Sequence, residues 1–288
     1  MLADAQASLN PFQMKNTQRD NKLNKMAMLI DGDNAQPSLI VKLLAEAGKY
    51  GAPTIRRIYG DWTTPQMNGW KDCLNNHAIQ PIQQFRYTVG KNATDSALII
   101  DAMDLLHSEL VDGFCIVSSD SDYTRLATRI REEGIFVMGI GQRKTPKPFV
   151  NACNIFIFTE NLTDNIDERK IEAAEKVEDN GQNQQRLNPV PMLKEAFAMS
   201  ADEDGWAHLG AMGTNLRQLD PSFDPRTFGY GQLLQLMQAH KDIFTIRKEE
   251  DKGRSAVYIK RKDKRRSKPQ PRRKATCLLY TSPSPRDS

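Results

Sequence analysis

Two stretches of this chain, "FCIVSS" at Phe114–Ser119 and "IFVMGIG" at Ile135–Gly141, are nearly continuous apolar runs. A strand with one face in water alternates apolar and polar residues, whereas a strand buried on both faces does not. Runs of this kind, set between helical patterns, restrict the fold to an α/β architecture with a parallel sheet and helices on both faces. The alternation extends over residues 26–162. Strands are expected at Ala27 to Ile30, Thr54 to Tyr59, Ala78 to Phe85, Phe114 to Ser118, Ile135 to Ile140 and Asn154 to Phe158. Helices are expected at Ser38 to Lys49, Asp95 to Ser108 and Tyr123 to Glu132, where apolar residues recur at helical spacing.

Residues 163–187 depart from this pattern. "DERKIEAAEKVEDNGQNQQRL" is charged and rich in Gln and Asn, the composition of a linker. From 188 to 261 the helical pattern returns in three short segments, followed by "SAVYIK". Three helices and a terminal hairpin fit a small winged-helix-like domain. Residues 1–25 are polar with no apolar core for a leader peptide, and they are expected to be disordered. Residues 262–288 read as a basic, disordered tail. Its ending, "TCLLYTSPSPRDS", breaks composition abruptly and is expected to be non-native.

In an open parallel sheet, ligands bind beyond the carboxyl ends of the strands. Three acidic clusters fall at that edge. The first strand runs into Asp31-Gly32-Asp33-Asn34. A helix opens at "KNATDSAL" with Asp95. The strand "GFCIVSS" runs into Ser118, Ser119, Asp120, Ser121 and Asp122. Clustered carboxylates repel and are costly to desolvate, and a divalent cation relieves both penalties. An all-oxygen set suits Mg²⁺ or Mn²⁺. Each acid also has a local reading: Asp31 or Asp33, and Asp120 or Asp122, sit where helix caps sit, and Asp95 fits a first helical turn. Lys91, Arg143, Lys144, Thr145 and Lys147 lie in loops at the same predicted edge, where they are candidates for phosphate contact. Tyr59, Trp62 and Trp70 are candidates for base stacking, with core packing as the plainer reading.

Overall charge points to the same kind of partner. The net charge is +4, but Arg247 to Lys274 holds 14 Lys/Arg against 4 Asp/Glu, so a basic arm follows a mildly acidic body. Such an arm suits a polyanion. Mean hydropathy is −0.60, and no apolar run approaches the length of a membrane span, so no membrane partner is expected. The four cysteines and four histidines are scattered without metal-ligand spacing. That favours a cytoplasmic protein without a zinc site or disulfide framework.

"MLIDGDN", "GKNATDSALIIDAMDLL", "FCIVSSDSDYTRLATRIREEG" and "GIGQRKTPKPFVNACNIFIF", in that order, resemble the NYN family of PIN-like nucleases over residues 26–162. The resemblance implies a Rossmann-like (PIN-like) sheet and a Mg²⁺- or Mn²⁺-dependent ribonuclease site. It aligns the family's acidic positions with Asp31, Asp95 and the pair Asp120 and Asp122, with a secondary position at Asp101 and the accompanying amide at Asn34. The family's motif after the later strand falls on Ser118, Asp120 and Asp122, with Tyr123 standing where an aromatic follows. Asp31, Asp95, Asp120 and Asp122 are thereby the expected catalytic and metal-binding residues. Asn34, Lys91, Ser118, Ser119, Arg143, Lys144, Thr145 and Lys147 are the expected substrate contacts, with Asp33 and Asp101 as secondary members.

Residues 188–261 resemble an OST-HTH (LOTUS) domain, which implies RNA as partner, with Arg226, Tyr230 and Lys241 as candidate contacts. The expected activity is Mg²⁺- or Mn²⁺-dependent endoribonuclease cleavage; homodimerisation stays open. Two other readings remain. One is a non-catalytic RNA-binding regulator that keeps the fold. The other is a haloacid-dehalogenase-type phosphohydrolase built on Asp31 and Asp33, which lacks the Thr or Val wanted where Ala35 stands.

Overall fold

The computed structural model describes residues 23–85, 93–163, 188–251 and 254–262. The expected N-terminal segment (apart from residues 23–25), nearly all of the linker, the tail beyond Lys262 and the candidate contact Lys91 lie outside the described residues. Six strands form one sheet: β1 (Leu23–Asp31), β2 (Gly51–Gly60), β3 (Gln80–Gln83), β4 (Gly113–Val117), β5 (Phe136–Gly141) and β6 (Ile155–Phe158). They lie in the order β3-β2-β1-β4-β5-β6, and every pairing is parallel. This order reverses direction between β1 and β4, the point at which a doubly wound sheet opens its ligand crevice.

Strand residues alternate between two apolar cores, which is why their sequence does not alternate in polarity. Ala27, Leu29, Phe114, Ile116 and Val137 face one side. There they meet α3 (Ala93–His107), α4 (Thr124–Glu132) and α5 (Lys147–Ala152) through residues such as Leu98, Ala102, Ile130 and Phe149. Met28, Ile30, Cys115, Val117 and Met138 face the other side. Their partners come from α1 (Ile40–Ala47), including Ile40 and Leu43, and from α2 (Asn68–Asn76), including Trp70. Tyr59 and Trp70 are therefore core residues and no base-stacking surface. Trp62 donates its indole N–H to the Ile82 carbonyl at 3.0 Å.

The C-terminal domain comprises α6 (Val190–Ser200), α7 (Leu209–Leu219) and α8 (Leu233–Ala239) with β7 (Ala207–His208), β8 (Phe244–Asp251) and β9 (Arg254–Arg261). The three strands form an antiparallel sheet in the order β7-β9-β8. Leu193, Phe197, Met212, Leu216, Leu236 and Phe244 fill its core. Phe228 and Tyr230 pack against that core.

The two folded units touch. A tight turn at Pro225–Phe228 is capped by Asp224, whose side chain accepts from the Arg226 N–H at 2.8 Å, and is closed by Gly229 at φ 81°. A left-handed backbone at this closing position favours glycine. Arg226 in this turn reaches both carboxylate oxygens of Glu46 on α1, at 3.1 and 3.0 Å, and is also paired with Asp224. Asn161 donates to the Thr227 hydroxyl at 2.9 Å, and the Phe156 N–H of edge strand β6 donates to the Pro221 carbonyl at 2.9 Å. The candidate RNA contact Arg226 is thus a bridge between the two units instead.

Candidate metal centre

Asp31 ends β1 and is fully buried. Oδ1 accepts from the Asp33 N–H at 3.1 Å, while Oδ2 accepts from Asn34 Nδ2 at 2.7 Å and Ser118 Oγ at 2.8 Å. Burial raises its pKa above the ordinary carboxyl value. The Asn34 and Ser118 hydrogen bonds oppose that rise, and the charge of Asp95 adds to it. Asp95 stands in the first turn of α3, where the helix dipole favours a negative charge. Tyr123 donates its hydroxyl to Asp95 Oδ1 at 2.7 Å. The Asp95 pKa is also raised, first by burial and then by Asp120, Asp122 and Asp33, with the Tyr123 hydrogen bond opposing.

Beyond β4, the Ser118 hydroxyl takes the Asp120 N–H at 3.0 Å, and Asp120 Oδ1 takes the Asp122 N–H at 3.0 Å. Asp120 is therefore a cap, as its position predicts, and it also joins a cluster. One oxygen each from Asp95, Asp120 and Asp122 lie within 4.8 Å of one another. All three donors are hard carboxylate oxygens, which fit Mg²⁺ or Mn²⁺. Asp31 and Asp33 are not in this trio; Asp31 supplies a further negative charge behind it.

The remaining expected site residues divide by exposure. Arg143, Lys144 and Lys147 stay exposed at the carboxyl end of β5, the strand beside β4. Asn34 is half-buried and turned toward Asp31. Three hydroxyls expected to touch substrate are turned inward. Ser118 is 2% exposed and ties Asp31 to Asp120. Ser119 accepts from the Gln142 N–H at 2.8 Å, and Thr145, 6% exposed, donates to the Gln142 carbonyl at 2.6 Å. Ser119 is a strut between the β4 and β5 loops, while Thr145 braces the β5 loop from within; Gly141 allows the two loops to approach, since a methyl group there would collide with the Ser118 carbonyl. Asp101 lies one helical turn and more beyond Asp95, outside the trio, and accepts from Arg57 and from the Tyr59 hydroxyl.

Tyr123 is the aromatic expected after the motif, but a role for its hydroxyl went unread in the sequence. Tyr123 is fully buried and packs near Phe149, so its ring belongs to the core while its hydroxyl orients Asp95. The available signal was a tyrosine in an apolar setting, since a buried phenol almost always needs a hydrogen-bond partner.

The raised carboxyl pKa values carry a stability prediction. A carboxyl that holds its proton more tightly when folded stabilises the fold at low pH. That contribution is lost as pH rises through the folded pKa. Asp31 and Asp95 both behave this way, so the metal-free protein should weaken as pH rises through the carboxylate range. Asp95→Asn keeps an oxygen for Tyr123 and removes one repelling charge. In thermal unfolding at pH 7 with chelator, it should raise Tm by about 2–4 °C at most, for a gain on the order of 1 kcal/mol. The stabilisation that Mn²⁺ gives the unaltered protein should be lost. A lowered Tm with the Mn²⁺ response intact would make this carboxylate structural.

Comparison with known proteins fits this architecture. The model of the NYN domain matches residues 25–163, and that of the OST-HTH/LOTUS domain matches residues 185–256. A crystal structure of a protein of unknown function from Vibrio parahaemolyticus is 19% identical. The match covers 49% of this chain and 94% of that one, with a TM-score of 0.40. A solution structure of an uncharacterized protein from Nitrosomonas europaea is 35% identical, covering 26% of this chain and 73% of that one, with a TM-score of 0.24. No curated protein matches the chain. Among the described residues no helix is long and apolar enough to cross a membrane. Residues 25–163 belong to the NYN family, and residues 185–256, following them, to the OST-HTH/LOTUS family.

Proposed function

We propose that this chain is a cytoplasmic, Mg²⁺- or Mn²⁺-dependent endoribonuclease whose C-terminal domain holds the RNA. The observation that carries the reading is the convergence of Asp95, Asp120 and Asp122 within 4.8 Å at the carboxyl edge of an NYN-type sheet. A divalent ion held there supplies a neutralising charge for the phosphodiester and lowers the pKa of an attacking water. The chain's own residues prepare that site. Tyr123 fixes the direction of Asp95, and the Asp122 N–H and the Ser118 hydroxyl fix the loop that carries Asp120. Asn34 and Ser118 hold the Asp31 carboxylate, keeping its charge close behind the trio. Arg143, Lys144 and Lys147 offer exposed cations to the RNA backbone on the neighbouring strand end.

The test is a nuclease assay of the intact chain on a pool of single-stranded and hairpin RNAs, titrated with Mg²⁺ and with Mn²⁺. Internal cleavage that appears with the metal and stops with chelator is the expected result. Tight RNA binding without turnover under either ion would favour the non-catalytic regulator instead.

A further inference from the structure

The C-terminal sheet has a filled inner face and a chemically different outer one. Ala207, Phe244 and Ile259 are buried beneath it. On the opposite face, His208, Tyr258 and Arg247 form one row across three strands, because β9 pairs Tyr258 with His208 on one side and with Arg247 on the other. Side chains two residues apart on a strand share a face, which adds Lys260 to this set. Trp206, just before β7, completes the patch. The Arg247 guanidinium lies 4.3 Å from the centre of the Trp206 ring and 5.8 Å from that of Tyr258. Lys260 Nζ lies 5.5 Å from the Trp206 ring centre and donates to the Asp204 carbonyl at 3.0 Å. The His208 ring meets Tyr258 edge-on at 5.6 Å. Arg247, Lys260 and His208 are exposed, and both larger rings are half-exposed.

Exposed cation–π pairs contribute only about 0.5–1 kcal/mol each to stability. Two rings paired with two cations, and a third ring set edge-on to one of them, give the outer face of this small sheet chemistry beyond that packing. The cations suit an anionic backbone, and the rings offer flat faces to flat partners. Guanidinium planes stack on bases as aromatic rings do, so Arg247 serves both ends of such a ligand. Glu249, paired with Arg247 at 2.8 Å, holds the guanidinium in place, and exposed Asp204, whose carbonyl takes Lys260 Nζ, brings a second acid to the edge of the patch. A duplex keeps its base faces stacked inside and cannot use these rings, whereas a single strand can splay its bases onto them.

We propose that the outer face of this sheet, built on Trp206, Tyr258, Arg247 and Lys260, is a stacking platform for single-stranded RNA. The proposal rests on the reading that RNA is the partner, and it supplies the surface and the strandedness.

The test is equilibrium binding of the intact chain, with chelator present to prevent cleavage, to a fluorescent uridine 20-mer and to a blunt RNA duplex of equal length. The single strand should bind more tightly. Tyr258→Leu and Trp206→Leu should each weaken single-strand binding by about 5–150-fold, the effect of losing one base–aromatic stack, with far-UV circular dichroism unchanged. Arg247→Lys should weaken it while keeping the salt dependence, because charge survives and the planar surface does not. Where Trp206→Leu fails to fold, Tyr258→Leu and Arg247→Lys carry the test. Single-strand affinity within twofold of the unaltered chain for both of these, or equal affinity for the duplex, overturns the platform. Metal-dependent cleavage is scored separately, on the same protein preparations with metal in place of chelator. Loss of platform binding with cleavage of short RNA intact, or platform binding with no cleavage by the unaltered chain, shows which of the two readings has failed.

Discussion

Asp120→Asn is expected to reduce metal-dependent RNA cleavage by about 10²–10³-fold, in the range seen when one group that stabilises transition-state charge is removed. The substitution is conservative in shape. Its amide oxygen can still accept the Asp122 N–H that Asp120 takes at 3.0 Å, so the tight turn after β4 should survive. What is lost is one of three charged oxygens within 4.8 Å. Asp95→Asn should cost a similar factor, and the double variant little more than either single one, because ligands that act on one ion are not additive. Asp104→Asn, an exposed acid farther along α3, should leave activity unchanged and controls for general loss of negative charge. Independent, multiplying losses from Asp95 and Asp120 would mean that the two carboxylates do not share an ion.

The strands of the parallel sheet were legible because burial on both faces leaves a direct trace in composition. Met28 and Leu29 point to opposite cores, so neither can be polar. Helices α2 and α5 left no such trace. "NGWKDCLNN" buries only Trp70, and α5 is six residues long and opens among prolines. Among the site residues, the carboxyl edge could be read because strand ends and acidic clusters coincide there. The resemblance grouped Asp31, Asp95, Asp120 and Asp122, but it did not separate Asp31 from the three that converge. Asp31, at the very end of its strand, stays buried behind the trio, while Asp95, Asp120 and Asp122 stand farther out on the loops and on the helix start. The direction of Ser118, Ser119 and Thr145 was equally hidden, since a hydroxyl after a strand serves a ligand or a neighbouring loop with the same local sequence. Asp101 and Arg57 are 44 positions apart, and their pairing depends on how α3 crosses β2.

The bridge between the two domains is least legible of all, because Arg226 and Glu46 are 180 positions apart. It also carries a large expected effect. Glu46 and Asp224 are 4% and 5% exposed, and Arg226 is their common partner. Its guanidinium is held protonated by both carboxylates against the cost of burial. Arg226→Ala leaves two buried carboxylates facing each other across the seam. Breaking a buried pair from one side typically costs about 3–5 kcal/mol. Here Lys49 still reaches Glu46 at 2.7 Å, so the loss should fall nearer about 2–4 kcal/mol. Among the described residues the seam also carries a hydrogen bond from Asn161, one from the Phe156 N–H, and a pocket of about 300 Å³ lined in part by Lys42 and Tyr230. Each domain has its own core, so the loss should fall on their docking. Arg226→Ala should therefore enlarge the radius of gyration in small-angle scattering and split thermal unfolding into two transitions. Replacing the charges together, as Glu46→Leu, Asp224→Asn and Arg226→Met, should recover much of the loss, because a buried ion network is often replaced by apolar packing at little cost. An unchanged radius with a single lowered transition would instead assign Arg226 to the stability of its own domain, through Asp224 and the turn it caps.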